Sequence, residues 1–239
     1  MLGCQGSSQS SDAAVVEPPQ VPEVRWYGHR DPWVITPALA ERPILCLDPG
    51  HGGEDPGAVG PSGLRECDVV LDICELMKPA LELLGWRVNL TRKADVFVGL
   101  SRRAAIANGI NAALFVSMHA NAFHRPEAHG FEVWTSPGDT GDADRVATNI
   151  YRAIENTFPY ATGRPDLGDG DPDKEGRFTV LTKTKMGAVL VESAFISNEL
   201  EESRLADPGW RMRFAGACVS GIGPASPWRA PDRAERVQW

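Results

Sequence analysis

No stretch of this 239-residue sequence approaches the ~20 consecutive apolar residues of a bilayer-spanning helix, so none is expected. Basic charge is in deficit. The 24 Lys and Arg stand against 32 Asp and Glu, a net charge of −8 with a pI near 5.2. That balance argues against a nucleic acid held by the overall field of the protein. Cysteine is scarce and never paired as CxxC. Cys4, Cys46, Cys67, Cys74 and Cys218 therefore do not read as a zinc site. Cys67 and Cys74 would sit ~10 Å apart along a helix, too far for a disulfide. Apart from Cys4, the thiols read as small buried apolar side chains. There is no internal repeat. What remains is ordinary for a globular fold: 42% apolar and 23% charged residues, and length enough for one sizeable domain.

The N-terminus, "MLGCQGSSQSSDAAVVEPPQVPE", places Leu2-Gly3-Cys4 before a polar stretch. This resembles the cleavage end of a bacterial lipoprotein signal, in which the cysteine is lipidated. The charged and apolar parts of such a signal are not there. Either Met1 is a start inside a longer signal, or Cys4 is incidental. On the first reading Cys4 carries a lipid anchor, and 1–23 form a flexible tether. Residues 24–42 read as an extended arm.

A domain is expected from Pro43. "ILCLD" (44–48) reads as a buried strand. From Glu66 to Leu84 apolar residues recur at helical spacing, with Gly85 as the terminating residue and Pro79 expected to kink the helix. "WRVNLTR" (86–92) reads as a strand. Ser101 is the expected N-cap of a helix closed by Gly109. Strands are expected at 112–118 and 130–136, then a helix over roughly 143–158. A loop rich in Gly, Pro and Asp spans 160–176. "RFTVLT" and "GAVLVE" (187–192) read as two further strands, before a last helix and a loose tail over 223–239. Strands alternating with helices imply an α/β fold: a twisted, mostly parallel sheet with helices on both faces, in a single domain.

Three ionisable residues follow apolar runs directly: His51 after "ILCLDPG", His119 after "ALFVSM" and Glu192 after "GAVLV". In open α/β sheets ligands gather at the carboxyl ends of strands. Glu66, opening the long helix, belongs near the same edge. Two imidazoles and a carboxylate can hold Zn²⁺ and leave a position for water, whose pKa then falls to ~7. A further carboxylate can take the water's proton and pass it to a leaving amine. In that arrangement His51, Glu66 and His119 are the ligands and Glu192 the base. The glycines around His51 would let the backbone fold closely about the metal. Each residue also has an ordinary reading. His51 could occupy a turn or an anion-cradling loop, Glu66 could answer a helix dipole, His119 could be a core histidine, and Glu192 could cap a turn. His29, His124 and His129 read as surface residues. Arg92, Arg102 and Arg103 could meet an acidic substrate or simply pair with neighbours.

"LDPGHGGEDPGAVGPSGLRECDVVLDI", "VNLTRKADVFVGLSRRAAIAN", "LFVSMHANAF", "GFEVW" and "AVLVESAFISN" occur in this order. The set resembles the zinc-dependent N-acetylmuramoyl-L-alanine amidases of the amidase-3 family, over roughly 43–222. The resemblance implies a sheet of about six strands with helices on both faces. It implies hydrolysis of the amide between N-acetylmuramic acid and L-alanine in peptidoglycan. It also implies one Zn²⁺ per chain, a monomer, and export to the bacterial cell envelope, in the periplasm or as a membrane-anchored lipoprotein. By position the family's zinc ligands match His51, Glu66 and His119, and its catalytic glutamate matches Glu192. Asn121, in "HANA", matches the motif as a residue behind the ligands or against substrate. Ala194 replaces a glycine common in the family. Some relatives insert an inhibitory helix after the strand matching "GFEVW". Only one helix and the 160–176 loop are expected here, so no built-in autoinhibition is expected. Two other readings stay open: another zinc amide hydrolase, such as a peptidase or deacetylase, and a non-enzymatic wall-binding module.

Overall fold

The computed structural model describes residues 42–139 and 141–225. Cys4, the segment 1–23, all but the last residue of the 24–42 arm, and the tail beyond 225 lie outside the described residues. Six strands form one mixed sheet: β1 (Ile44–Pro49), β2 (Arg87–Leu90), β3 (Leu114–Asn121), β4 (Glu132–Thr135), β5 (Lys174–Glu175) and β6 (Gly187–Phe195). Their order is β2-β1-β3-β6-β4-β5. The first four are parallel, β4 runs antiparallel to β6, and β5 is parallel to β4. The helices are α1 (Glu66–Leu83), α2 (Leu100–Gly109), α3 (Asp142–Thr157), α4 (Thr179–Thr182), α5 (Glu199–Ala206) and α6 (Pro208–Ile222).

The two-residue period of the strands sorts the core into two layers. Leu45 and Leu47 of β1, Leu114, Val116 and Met118 of β3, and Val189 and Val191 of β6 face one way. They meet α1, α3 and α6 in the larger core. There Trp210 stacks on Phe214 at 5.0 Å, with Phe158 beside both. Cys46, Phe115, Ala188 and Leu190 face the other way, onto Ala107 of α2 and Val180 and Leu181 of α4. Each large apolar side chain so buried contributes about 1.5–3 kcal/mol before chain entropy is counted. The second layer is thin because α2 has ten residues and α4 four. Further along the same face the strands carry Asp48, Ser117, His119 and Glu192 instead of apolar residues. The sheet is therefore covered by helices on both faces, but one cover stops short of the carboxyl edge.

Three local expectations need correction. "RFTVLT" does not form a strand. Its residues 179–182 form α4, because adjacent Val180 and Leu181 both enter the thin core and Thr182 hydrogen-bonds back to the Phe178 carbonyl. The fifth strand is instead the two-residue β5, inside what read as an irregular loop. Ser101 is not an N-cap: α2 begins at Leu100 after Gly99, and the Ser101 hydroxyl accepts from Lys183 Nζ at 2.8 Å. Finally, α5 was not foreseen. The Asn198 side chain caps it by accepting from the Glu201 amide, and Asp207 caps α6 through the Gly209 and Trp210 amides. Pro79 lies inside α1, which runs unbroken from Glu66 to Leu83.

Asp173, just before β5, is buried and accepts from the Thr135 and Thr148 hydroxyls at 3.1 and 3.0 Å. Burial, reinforced by the Asp171 carboxylate, raises its pKa to about 7. In the unfolded chain it titrates near the usual ~4. Between those values the folded state holds a proton that the unfolded state has released. Stability contributed here therefore falls as pH rises from about 4 to about 7, and stays low above that. We expect Asp173→Asn to raise the melting temperature relative to the parent at pH 8 more than at pH 5, measured by thermal denaturation at both pH values.

Candidate functional site

β1 ends in a loop that returns sharply at Gly50, whose amide donates to the Met118 carbonyl at 3.0 Å on the neighbouring β3. His51 follows in a left-handed conformation, φ 57°, unusual for a residue with a side chain. What holds it is a buried polar clamp. Asp48, fully buried, accepts from Thr91 at 2.5 Å, Ser117 at 2.8 Å and Arg103 Nη1 at 2.8 Å. Arg103 also donates to the Pro49, His51 and Val98 carbonyls. Arg92 donates to the Pro49, Gly50, Ala94 and Cys67 carbonyls. Two guanidiniums thus satisfy the Pro49, Gly50 and His51 carbonyls where the β1 ladder runs out. Both arginines are buried and engaged inside the fold, not offered to a substrate.

Glu66, at the first position of α1, aims its carboxylate between two imidazoles. Its Oε1 lies 3.2 Å from His51 Nε2 and 3.0 Å from His119 Nδ1, and accepts from the Ala120 amide at 3.0 Å. Its Oε2 accepts from the Ala58 amide at 2.9 Å. The two rings meet edge to face with centroids 5.0 Å apart. Asp55, which sequence reasoning missed, sits 2.8 Å from His51 Nδ1 and turns the Nε2 edge toward Glu66. The glycines have a specific task at two positions. A Cβ on Gly50 would lie 2.3 Å from His119 Cε1, and one on Gly57 2.6 Å from Glu66 Oε2.

The electrostatics follow from this crowding. Burial works against a charged His51 ring, but the Glu66 and Asp55 carboxylates override it and lift His51 to about 9. His119 moves the same way: burial opposes charge, and Glu66 and Glu192 outweigh it. Burial alone would raise Glu66, yet the two imidazoles hold it well below the usual carboxylate range. Glu192 is the opposite case. It neighbours His119 across β3 and β6, and burial pushes it up to about 7, with His119 pulling down and Glu66 and Glu132 pushing up. Its Oε2 is buried without a partner among the described residues.

The structure therefore brings His51, Glu66, His119 and Glu192 to one edge. The first three each offer a ligand atom, all within 4.8 Å of one another, and could hold a metal ion. Donors bonded tetrahedrally to zinc at ~2.0–2.1 Å stand about 3.3 Å apart. The 3.0 and 3.2 Å separations here fit that spacing, and the donor types are those zinc takes. Asn121 lies at the end of β3 and donates to Glu132 Oε2 at 3.2 Å, away from the three. Glu132, Arg164 and Lys174, which meet beside it, were not singled out in the sequence. A glutamate opening a short strand carries no distinguishing local signal.

Residues 45–223 match the family model described as N-acetylmuramoyl-L-alanine amidase. The chain belongs to this amidase family. It is 34% identical over 218 residues to the amidase AmiC of Neisseria meningitidis, covering 76% of this chain and 52% of that protein. It thus spans about half the length of the AmiC relatives of N. meningitidis and Escherichia coli. Among solved structures, the amidase AmiC2 of Nostoc punctiforme is 36% identical with a TM-score of 0.67, covering 75% of this chain and 94% of that one. An amidase from Clostridium difficile 630 superposes with a TM-score of 0.71 at 27% identity, covering 76% and 95%. Among the described residues, no helix of this amidase-family chain is long and apolar enough to cross a membrane.

Asp48 should matter for stability before it matters for chemistry. Asp48→Ala leaves the buried Arg103 guanidinium without its counter-charge, and we expect a loss of about 3–5 kcal/mol in urea unfolding. Val at Thr91 should cost only about 1 kcal/mol, since the Asp48 carboxylate keeps two other donors.

Proposed function

We propose that this chain is a zinc-dependent N-acetylmuramoyl-L-alanine amidase. On this reading it hydrolyses the amide between N-acetylmuramic acid and L-alanine in peptidoglycan, in the bacterial cell envelope. The observation that carries the reading is the convergence of His51, Glu66 and His119 with the partnerless Glu192 at one edge of an amidase-family sheet. His51, Glu66 and His119 would hold the ion, with Asp55 orienting His51. Zinc held there supplies Lewis acidity toward the amide carbonyl and lowers the pKa of a bound water to about 7.

The protein's own part is proton transfer and positioning. Glu192, with a pKa near 7, is suited to accept a proton from the attacking water and return it to the departing alanine nitrogen. Its unpartnered oxygen leaves that acceptor free. Cys4, if lipidated, would tether the enzyme near its wall substrate. On this reading the enzyme has no built-in autoinhibition; among the described residues of 136–173, α3 is the one helix.

Purified full chain should digest peptidoglycan without an added activator and lose that activity to a chelator. Mass spectrometry should find intact stem peptides freed from glycan. Cuts within the peptide, or loss of acetyl groups alone, would instead identify a peptidase or a deacetylase. Glu192→Gln should keep its zinc and lose turnover by about 10²–10⁴-fold. His119→Ala should lose both, as read by metal analysis beside a dye-release assay. Equal zinc loss in the two variants would contradict the assigned roles.

A further inference from the structure

A cavity of about 500 Å³ adjoins the catalytic edge. Asn121, on its wall, is two residues beyond His119 on β3, and Glu132 faces Glu192 across β4 and β6. Glu132 is 5% exposed and gathers three donors: Arg164 Nε at 2.6 Å, Lys174 Nζ at 3.1 Å and Asn121 Nδ2 at 3.2 Å. Two cations on one carboxylate leave a surplus of one positive charge. Arg125 and Glu127 also line the cavity and carry opposite formal charges.

Arg164 is fixed on two sides and open on the third. Its Nε–H is taken by Glu132, and its guanidinium carbon lies 5.2 Å from the centre of the Phe195 ring. Its backbone is anchored as well, the amide donating to the Phe131 carbonyl at 3.1 Å. Its two terminal nitrogens have no partner among the described residues, although Arg164 lines the cavity and its side chain is 43% exposed. A guanidinium whose fork is held in place but unfilled matches a carboxylate in two-point geometry. Lys174, by contrast, lies over the Trp134 ring and completes the neutralisation of Glu132.

We infer that Arg164 is a specificity-determining residue that binds a carboxylate on the stem peptide, on the residue following the alanine. The inference rests on the amidase reading. Paired residues on adjacent strands lie about 5 Å apart, and an extended peptide advances about 3.3 Å per residue. A group held beside Glu132 thus belongs one to two residues from a bond cut beside Glu192. Glu132 acts as a positioning residue for the guanidinium.

The test uses the full chain loaded with zinc and two muramoyl peptides. In one the residue after alanine bears a free carboxylate, and in the other its carboxamide. We expect kcat/KM to favour the carboxylate at least about tenfold, mainly through KM. Arg164→Gln should abolish that preference by losing activity on the carboxylate substrate alone, and Arg164→Lys should keep part of it. Calorimetry with the corresponding free peptides should show the same preference without turnover. Should Arg164→Gln fail to fold, the wild-type and Arg164→Lys titrations decide. Equal wild-type handling of the two substrates, or an equal loss on both in Arg164→Gln, would overturn the assignment. If neither substrate is cleaved, the amidase reading itself fails and takes this assignment with it.

Discussion

The fold at the carboxyl edge of the sheet depends on one buried interaction, the clamp in which Asp48 and the guanidiniums of Arg92 and Arg103 gather the loop after β1. A strand that ends in Pro and Gly leaves carbonyls without a ladder. In a dry interior each would be a liability unless a donor reached it. Guanidiniums suit this because each carries several fixed donors and no acceptor. Asp48 balances the charge of Arg103 and ties both β2, through Thr91, and β3, through Ser117, into the same knot. The left-handed conformation of His51 is tolerated because the structure around it leaves no other path.

Above that knot the chemistry is arranged by unequal burial. Glu66 is surrounded by donors: two ring nitrogens and two amides. Glu192, one strand from His119, receives none on its buried oxygen. Two carboxylates close together are thus driven in opposite directions, one toward permanent charge and the other toward a pKa near neutrality. Such separation is how one site assigns different duties to chemically identical groups. Glu132, the third carboxylate of the edge, is paired with Arg164 and Lys174, and its field adds to the upward push on Glu192.

Much of this was legible in the sequence, for physical reasons. The long buried strands announce themselves because both faces are covered, so β1, β3 and β6 read as continuous apolar runs. His51, His119 and Glu192 stand out because a charge directly after such a run has few structural uses. The short elements were not legible. β5 has two residues and no side-chain period to read. α4 is a β-branched turn whose helical form depends on the Phe115 face beneath it. The clamp was hidden for a different reason. Asp48 reads as the polar end of a strand and Arg103 as a helical arginine open to an acidic substrate or to any neighbour, and only the tertiary fold places them together. The Glu132 hub draws on residues 121, 132, 164 and 174, which no local pattern links.

The reversed direction of β4 has a consequence for how such a domain can grow. Because β4 points away from the edge that carries His119 and Glu192, the connection from it to α3 falls at the far end of the sheet, where Ala143 packs beside Gly187. The chain comes back along α3, and the stretch between α3 and β5 then starts at the near end, with Thr162 and Arg164 bonded to Phe131, and runs back to join the sheet beside Trp134 and Thr135, with Asp171 and Asp173 close to Asp144. Extra residues acquired in the first connection would hang harmlessly at the remote end. The same number acquired in the second, just after Arg164, would be delivered beside the cavity that Arg164 lines. Strand polarity alone thus decides which of two neighbouring loops is free to lengthen and which one would become a cover.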